Sequence, residues 1–289
     1  MDNYRQIDLS AWTKTGEGGN GVTYENPELP DVLLKINKAG LNNLETVKSE
    51  YDQSTSVAAL GISTPGMNEI VRVGDAYATI MERIKDKKSI FRICHDEPGR
   101  IEEMARLFCR LGKELWATPC NASTFPGRKK TALEGLRASS FFGKKNIETL
   151  RAFIEAVPES SGCVHGDFQP GNVIVSGDKY YWIDLGRFSW GNPMFDIGHL
   201  YLSCVVYASQ KQAQNIFHMD KKQLNLFWDA FAKAYTGKED HTEFDREAAR
   251  FGAADLAVRA YYQKGSILHK IFFKIQMGRL IKYFHFQKK

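Results

Sequence analysis

Two short runs carry the side chains best suited to chemistry: Cys163-Val164-His165-Gly166-Asp167-Phe168-Gln169-Pro170-Gly171-Asn172-Val173 and Ile183-Asp184-Leu185-Gly186-Arg187. Val173 to Ser176 and Lys179 to Ile183 are rich in β-forming residues, and Gly177-Asp178 between them is a hairpin-turn signal. Asn172 just precedes the first strand and Asp184 follows the second. Antiparallel pairing therefore predicts the two within roughly one strand spacing, about 5 Å. An amide and a carboxylate oxygen so placed can share a divalent ion, and two protein oxygens completed by waters and phosphates suit Mg²⁺. Asp167 lies five residues before Asn172, on a loop made pliable by Gly166 and Gly171. It remains available to take a proton from a hydroxyl.

His165-Gly166-Asp167 with Asn172, followed by Asp184 in Ile-Asp-Leu-Gly-Arg, resembles the catalytic core of the aminoglycoside phosphotransferase and choline kinase superfamily. The resemblance runs from about Trp12 to His199. It implies the protein-kinase fold and transfer of the ATP γ-phosphoryl group to a small-molecule hydroxyl, with Asp167 as catalytic base and Asn172 and Asp184 as Mg²⁺ ligands. His165 reads as a brace of the loop rather than a proton carrier. Asn192-Pro193 opens an apolar helix reaching to about Ala208. Asp196, one turn in, needs partners if buried, and the matching residue of the family accepts hydrogen bonds from the catalytic loop. Arg187 has two open readings, a partner of that network or a phosphate contact.

These residues need elements to hold them and a nucleotide. Thr15 to Tyr24 is a glycine-rich turn between two strands, and Gly16, Gly18, Gly19 and Gly21 either close backbone over phosphates or form a flexible hairpin loop. Asp31 to Ile36 is an apolar strand with a single lysine, Lys35, which resembles the lysine that holds the α- and β-phosphates; a surface lysine is the plainer reading. A helix from about Asn43 to Leu60 offers Glu50 as its partner, with Glu45 as the second choice. Ile70 to Val73 and Ala76 to Met81 form a further hairpin, and the resemblance implies that Met81, Glu82 and Arg83, with Ile84, are the hinge that meets adenine, an ordinary strand end being the plainer reading. No G-x-x-x-x-G-K-[ST] loop is present.

The expected architecture is α+β and bilobal: residues 1–83 as a nucleotide-binding antiparallel sheet plus helix, and residues 84–289 as a mainly helical catalytic and substrate-binding lobe. With 289 residues, 43% of them hydrophobic, the chain can fill cores of that size. Ile101 to Trp116 and Leu224 to Tyr235 read as buried helices. Residues 117–146 read as loop-rich, with solvated basic clusters at Arg128-Lys129-Lys130 and Lys144-Lys145.

Five cysteines, odd in number and without metal-ligand spacing, fit reduced thiols. The start Met1-Asp2-Asn3-Tyr4-Arg5 is unlike a signal peptide, and no apolar run approaches the roughly 20 residues that cross a bilayer, so a cytoplasmic location is expected. A net charge of +5 is too mild to imply nucleic acid. Lys264 to Lys289 holds seven Lys or Arg and no acid, with Leu268, Ile271, Phe272 and Ile275 at helical spacing. That pattern predicts an apolar side packed on the second lobe and lysines in water, contact with an anionic surface being the other reading.

The acceptor is narrowed by two departures from protein kinases. Gln169 stands where those enzymes have a lysine, and eleven residues from Asp184 to Asp196 leave no room for a peptide-docking segment. A sugar, amino alcohol or related metabolite is favoured over a peptide, and over aminoglycosides, whose cations the basic terminus would repel. Trp190, Trp228, Tyr261 and Tyr262 are equally explained by a choline cage and by core packing. A catalytically silent nucleotide-binding scaffold and a protein kinase are the alternatives.

Overall fold

Alternating residues decide the first part of the fold. The computed structural model describes residues 4–17, 21–137, 139–262 and 267–284. It forms β1 (Thr13–Glu17), β2 (Gly21–Glu25), β3 (Val32–Asn37), α1 (Leu44–Ala58), β4 (Met67–Val73) and β5 (Ala76–Glu82). The five strands make one antiparallel sheet in the order β1-β2-β3-β5-β4. Successive side chains of a strand point to opposite faces. Val32, Leu34 and Ile36 accordingly join Val71, Ala78, Ile80, Trp12 and Tyr24 in an apolar core, which leaves Leu33, Lys35 and Asn37 to the other face. Asn43 caps α1 by accepting from the Thr46 N–H at 2.9 Å.

The chain continues through β6 (Lys88–Ser89), α2 (Ile90–Asp96), α3 (Ile101–Ala117), α4 (Arg128–Arg137), α5 (Lys144–Ala156), β7 (Cys163–Val164), β8 (Val173–Ser176), β9 (Lys179–Trp182) and β10 (Ser189–Trp190). It ends with α6 (Met194–Tyr201), α7 (Lys211–Phe217), α8 (Lys221–Thr236), α9 (Thr242–Tyr262) and α10 (Ile267–Ile281). Two compact units result, Met1–Lys88 with Val173–Gly186, and Ser89–Asn172 with Arg187–Lys289. The β8–β9 hairpin thus groups with the first unit, whereas a division at residue 83 leaves it with the second. Two bonds anchor it: the Trp182 N–H donates to the Ser63 carbonyl at 2.9 Å, and Ser176 Oγ donates to the Lys85 carbonyl at 2.7 Å.

In the second unit α9 lies against α4, α6 and α10. Buried Ala248, Ala249, Ala253, Ala254 and Ala257 keep its surface shallow, so neighbouring backbones approach closely. At Gly198 of α6 a Cβ would sit 2.5 Å from the Phe251 carbonyl carbon, which only glycine avoids. α3 packs on α8, and Phe168 of the loop after β7 stacks into that layer, 4.3 Å from Phe108 between ring centres.

Several expectations need correction. Residues 117–146 are only in part loop: 118–127 carry no helix, but α4 and the start of α5 follow. Arg128 is fully buried rather than solvated, for a reason given below. The helix after Pro193 ends at Tyr201, and residues 202–206 form a π-helical turn. In α10 the buried residues are Phe273, Gln276, Met277 and Leu280, whereas Leu268, Ile271 and Ile275 are exposed. Among the described residues no helix is long and apolar enough to cross a membrane.

Candidate active site

In the second unit the loop after β7 is built around Asp196. Its carboxylate accepts from the backbone N–H groups of His165 and Gly166, both at 2.8 Å, and from Trp116 Nε1 at 3.0 Å. A fully buried carboxylate needs such donors, and these fix the loop to α6 and α3. Asn192 Oδ1 accepts from the Met194 N–H at 3.0 Å and sets the first turn of α6. Gly166 has φ +80°, and a Cβ there would lie 2.1 Å from the Arg187 carbonyl oxygen, so the turn into Asp167 admits only glycine. The buried His165 braces the same turn, its Nδ1 accepting from the Asp167 N–H at 3.3 Å.

The Asp167 carboxylate is held on both oxygens. Asn172 Nδ2 donates to its Oδ2 at 3.1 Å and to its backbone carbonyl at 2.8 Å, while Gln169 Nε2 reaches Oδ2 at 3.4 Å. His199 Nε2 lies 3.0 Å from Oδ1, with Arg187 at 3.7 Å and Arg259 at 3.8 Å. Arg187 thus faces the Asp167 carboxylate. Burial pushes the Asp167 pKa up, but His199, Arg259 and Arg187 pull harder and leave it well below the ordinary carboxylate range. Asp167 is therefore ionised at neutral pH.

Sequence reasoning missed the groups behind this carboxylate. His199 Nδ1 lies 3.0 Å from Asp255 Oδ2, Arg259 Nε donates to the same oxygen at 3.0 Å, and Arg128 donates to Asp255 Oδ1 at 2.8 Å and to the Gly166 carbonyl at 3.1 Å. Burial raises the Asp255 pKa, yet His199, Arg259 and Arg128 outweigh it and the group stays ionised. The buried Arg128 is the partner of a buried acid, not a member of a wet basic cluster. A signal existed: Asp255 and Arg259 stand four apart in Ala-Ala-Asp-Leu-Ala-Val-Arg, where an acid in an apolar run demands partners.

In the first unit a cavity of about 860 Å³ is lined by Gly21, Lys35, Glu50, Met81, Glu82 and Asp184, among others. Lys35 pairs with Glu50, and Asn37 Nδ2 donates to the second Glu50 oxygen at 3.4 Å. Glu45 lines the cavity but is not the carboxylate that meets Lys35. Of the residues expected to form the hinge, Met81, Glu82 and Ile84 line the cavity, whereas Arg83 turns to Glu25 at 2.6 Å. The Glu82 N–H is spent on the Gly66 carbonyl at 2.7 Å and the Arg83 N–H on the Asp31 carbonyl at 2.9 Å. Gly16 closes against Thr23 and Gly21 against the Ile36 carbonyl, while Gly18 and Gly19 lie outside the described residues. Asp184 has φ +59°, a left-handed backbone that costs a non-glycine residue about 1 kcal/mol or more and concentrates at functional sites.

The oxygens of Asn172 and Asp184 are hard donors of the kind Mg²⁺ takes. Asn172 spends its amide nitrogen on Asp167, so its carbonyl oxygen is the atom left over for a cation. Among the described residues, no group of three or more His, Cys, Asp or Glu is gathered for a metal. The aromatic cage is not assembled from Trp228, which stacks between Phe231 and Phe244 and donates Nε1 to Asp245 at 2.9 Å. The side chains of Tyr261 and Tyr262 lie outside the described residues.

The model of the phosphotransferase enzyme family matches residues 22–251. Among solved structures, the chain is similar to a choline/ethanolamine kinase family protein from Mesorhizobium loti, at 13% identity over 96% of this chain and 89% of that one, with a TM-score of 0.56. It is similar to a thermostable mutant of aminoglycoside phosphotransferase APH(4)-Ia in ternary complex with ADP and hygromycin B, at 11% identity over 95% and 94%, TM-score 0.61. A third likeness is the streptomycin-ATP-APH(2")-IIa ternary complex, at 18% identity over 94% and 90%, TM-score 0.55. No curated protein matches the sequence.

Proposed function

The chain belongs to the phosphotransferase enzyme family, and from that premise we propose that it transfers the γ-phosphoryl group of ATP to the hydroxyl of a small neutral or anionic metabolite, with Mg²⁺ as cofactor. The observation that carries this reading is the ionised Asp167, held by Asn172, Gln169 and His199. In this reading the acceptor hydroxyl is held against Asp167, its oxygen bonds to the γ-phosphorus as the bond to ADP breaks, and its proton passes to the carboxylate. A base of low pKa suffices, because a loose phosphoryl transition state asks for positioning and charge more than for proton affinity.

Asn172 and Asp184 would hold Mg²⁺, which would neutralise charge on the phosphates. Lys35, steadied by Glu50, would orient the α- and β-phosphates, and the cavity beside Met81 and Glu82 would receive the nucleotide. The nucleotide complexes of two similar structures support ATP as the donor.

The acceptor class follows from charge. Around the loop the three cations Arg128, Arg187 and Arg259 are matched by three carboxylates, Asp167, Asp255 and Asp196, so the cluster offers no excess of acid to hold a polycation. A polycationic aminoglycoside asks for an excess of carboxylates, which this cluster lacks, whereas a carboxylated, phosphorylated or neutral polyol does not, and the basic segment 264–289 favours such an acceptor.

Incubation with γ-labelled ATP, Mg²⁺ and pooled metabolites, followed by mass identification of products, tests the reading. Asp167→Asn should retain nucleotide binding and lose turnover by about 10²- to 10⁴-fold. Unchanged turnover would remove Asp167 from the chemistry.

A further inference from the structure

The described part of α10 has two apolar faces, and the second unit covers one of them. Phe273, Gln276, Met277 and Leu280, at i, i+3, i+4 and i+7, are buried, and α10 packs there against α9. The Phe272 ring lies 5.5 Å from that of Tyr207, and Arg250 Nε donates to the Tyr283 carbonyl at 2.9 Å just beyond the helix. These contacts fix which way the helix faces. On the opposite side Ile267 and Leu268 are 76% and 77% exposed, and Ile271 and Ile275 are 50% and 53% exposed. Four large aliphatic side chains on one short helix face form a contiguous patch rather than scattered surface residues.

The charged side chains of α10 and the turn after it are of one sign. Lys270, Lys274, Arg279 and Lys282 are all exposed, and residues 264–289 contain seven Lys or Arg and no Asp or Glu. The remainder of the chain has 32 Lys or Arg against 34 Asp or Glu, a net −2, so the +5 of the whole protein comes entirely from this segment. A second copy of the chain docking through this face would bring two such cationic helices together. An anionic bilayer satisfies both features at once, receiving the aliphatic side chains between its headgroups and the lysines at them.

We propose that the exposed face of α10 docks this protein on an anionic lipid membrane surface, lying in the interface without crossing it. The four aliphatic residues insert to headgroup depth, and Lys270, Lys274 and Lys282 meet lipid phosphates. Anchoring is peripheral and reversible, because one short helix buries little area and the attraction is screened by salt.

Sedimentation of the full chain with vesicles tests this. Vesicles of phosphatidylcholine containing about a third phosphatidylglycerol should bind at least about tenfold more protein than pure phosphatidylcholine vesicles, and raised salt should weaken the binding. The variant Ile271→Asp with Ile275→Asp should abolish binding while the circular dichroism spectrum and melting temperature are kept, since both side chains are exposed. Lys270→Glu with Lys274→Glu should weaken it. Equal binding to neutral and anionic vesicles, no binding to either, or undiminished binding by the aspartate variant would overturn the proposal. So would a concentration-dependent dimer that the aspartate variant dissolves, which would make a second copy the occupant.

Discussion

Two histidines of the second unit each stand between two aspartates, His199 between Asp167 and Asp255, His241 between Asp229 and Asp245. The nitrogen-to-oxygen distances are alike, 3.0 and 3.0 Å in the first case, 3.1 and 2.9 Å in the second. Burial separates them. The side chains of His199 and Asp255 are 1% and 0% exposed, and Arg128 and Arg259 complete their bonding. The His241 side chain is 13% exposed and that of its partner Asp229 is 43% exposed, beside Lys233. The same Asp-His-Asp trio makes a sealed support for Asp167 in one place and a clasp between α8 and the start of α9 in the other. What a cluster of charges does is set by whether water can replace its members.

The sharpest way to break this comparison is to remove one acid from each cluster. Asp255→Ala leaves Arg128 and Arg259 buried beside an empty site and should cost about 3–5 kcal/mol of folding stability. Asp229→Ala, where solvent takes over, should cost less than about 1 kcal/mol. Urea denaturation of both variants measures the difference, and equal losses would show that burial is not the deciding variable.

Next in size is an effect on turnover. His199→Gln keeps a donor near Asp167 but loses the bridge to Asp255, and kcat should fall about tenfold to a hundredfold, less than in Asp167→Asn. His199 is the first of the groups that lower the Asp167 pKa against the burial that raises it. With that attraction removed the Asp167 pKa rises, so the acidic limb of the kcat/KM profile should move to higher pH. A merely structural role would lower the amount of active enzyme and leave the profile where it was.

The parts of the site that were legible in the sequence are local. Asp167 and Asn172 are five residues apart on one loop, and Lys35 stands fifteen residues before Glu50, from a strand to the helix that follows it, so spacing alone relates each pair. Asp196 could be paired with the loop because a buried acid near a helix start requires donors. The second ring of residues was not legible, since Arg128, His199, Asp255 and Arg259 meet only through the packing of α4, α6 and α9. Arg128 shows the difficulty plainly: in Arg-Lys-Lys it looks like a wet cluster, and only the tertiary fold reveals which cation turns inward. Helix α10 misled in the same way, because both of its faces are apolar and periodicity alone does not say which one is covered.

The first unit gives a contrast of intermediate size. Lys35 and Glu50 are partly exposed and stand on a cavity wall, so this pair lacks the sealed environment of His199 and Asp255. Glu50→Gln should leave stability within about 1 kcal/mol but weaken binding of a non-hydrolysable ATP analogue about tenfold, as Lys35 loses its fixed position. Calorimetric titration of the variant checks the affinity, and scanning calorimetry checks the stability. A large drop in melting temperature with unchanged affinity would assign the pair to folding instead.

The smallest effect belongs to the exposed clasp. Burial lowers the His241 pKa, but its bonds to Asp229 and Asp245 raise it more, and the net shift is upward from 6.5. A histidine whose folded pKa exceeds its unfolded one stabilises the fold fully below the unfolded value and loses that contribution as pH rises through the folded value. Stability measured in urea should therefore decline from near pH 6.5 upward, by less than about 1 kcal/mol, because the half-exposed Asp229 is screened by solvent. High salt should flatten the decline, and His241→Asn should remove it. If the slope survives in that variant, the proton is bound elsewhere, and the likeness between the two histidine clusters reduces to geometry without a shared electrostatic origin.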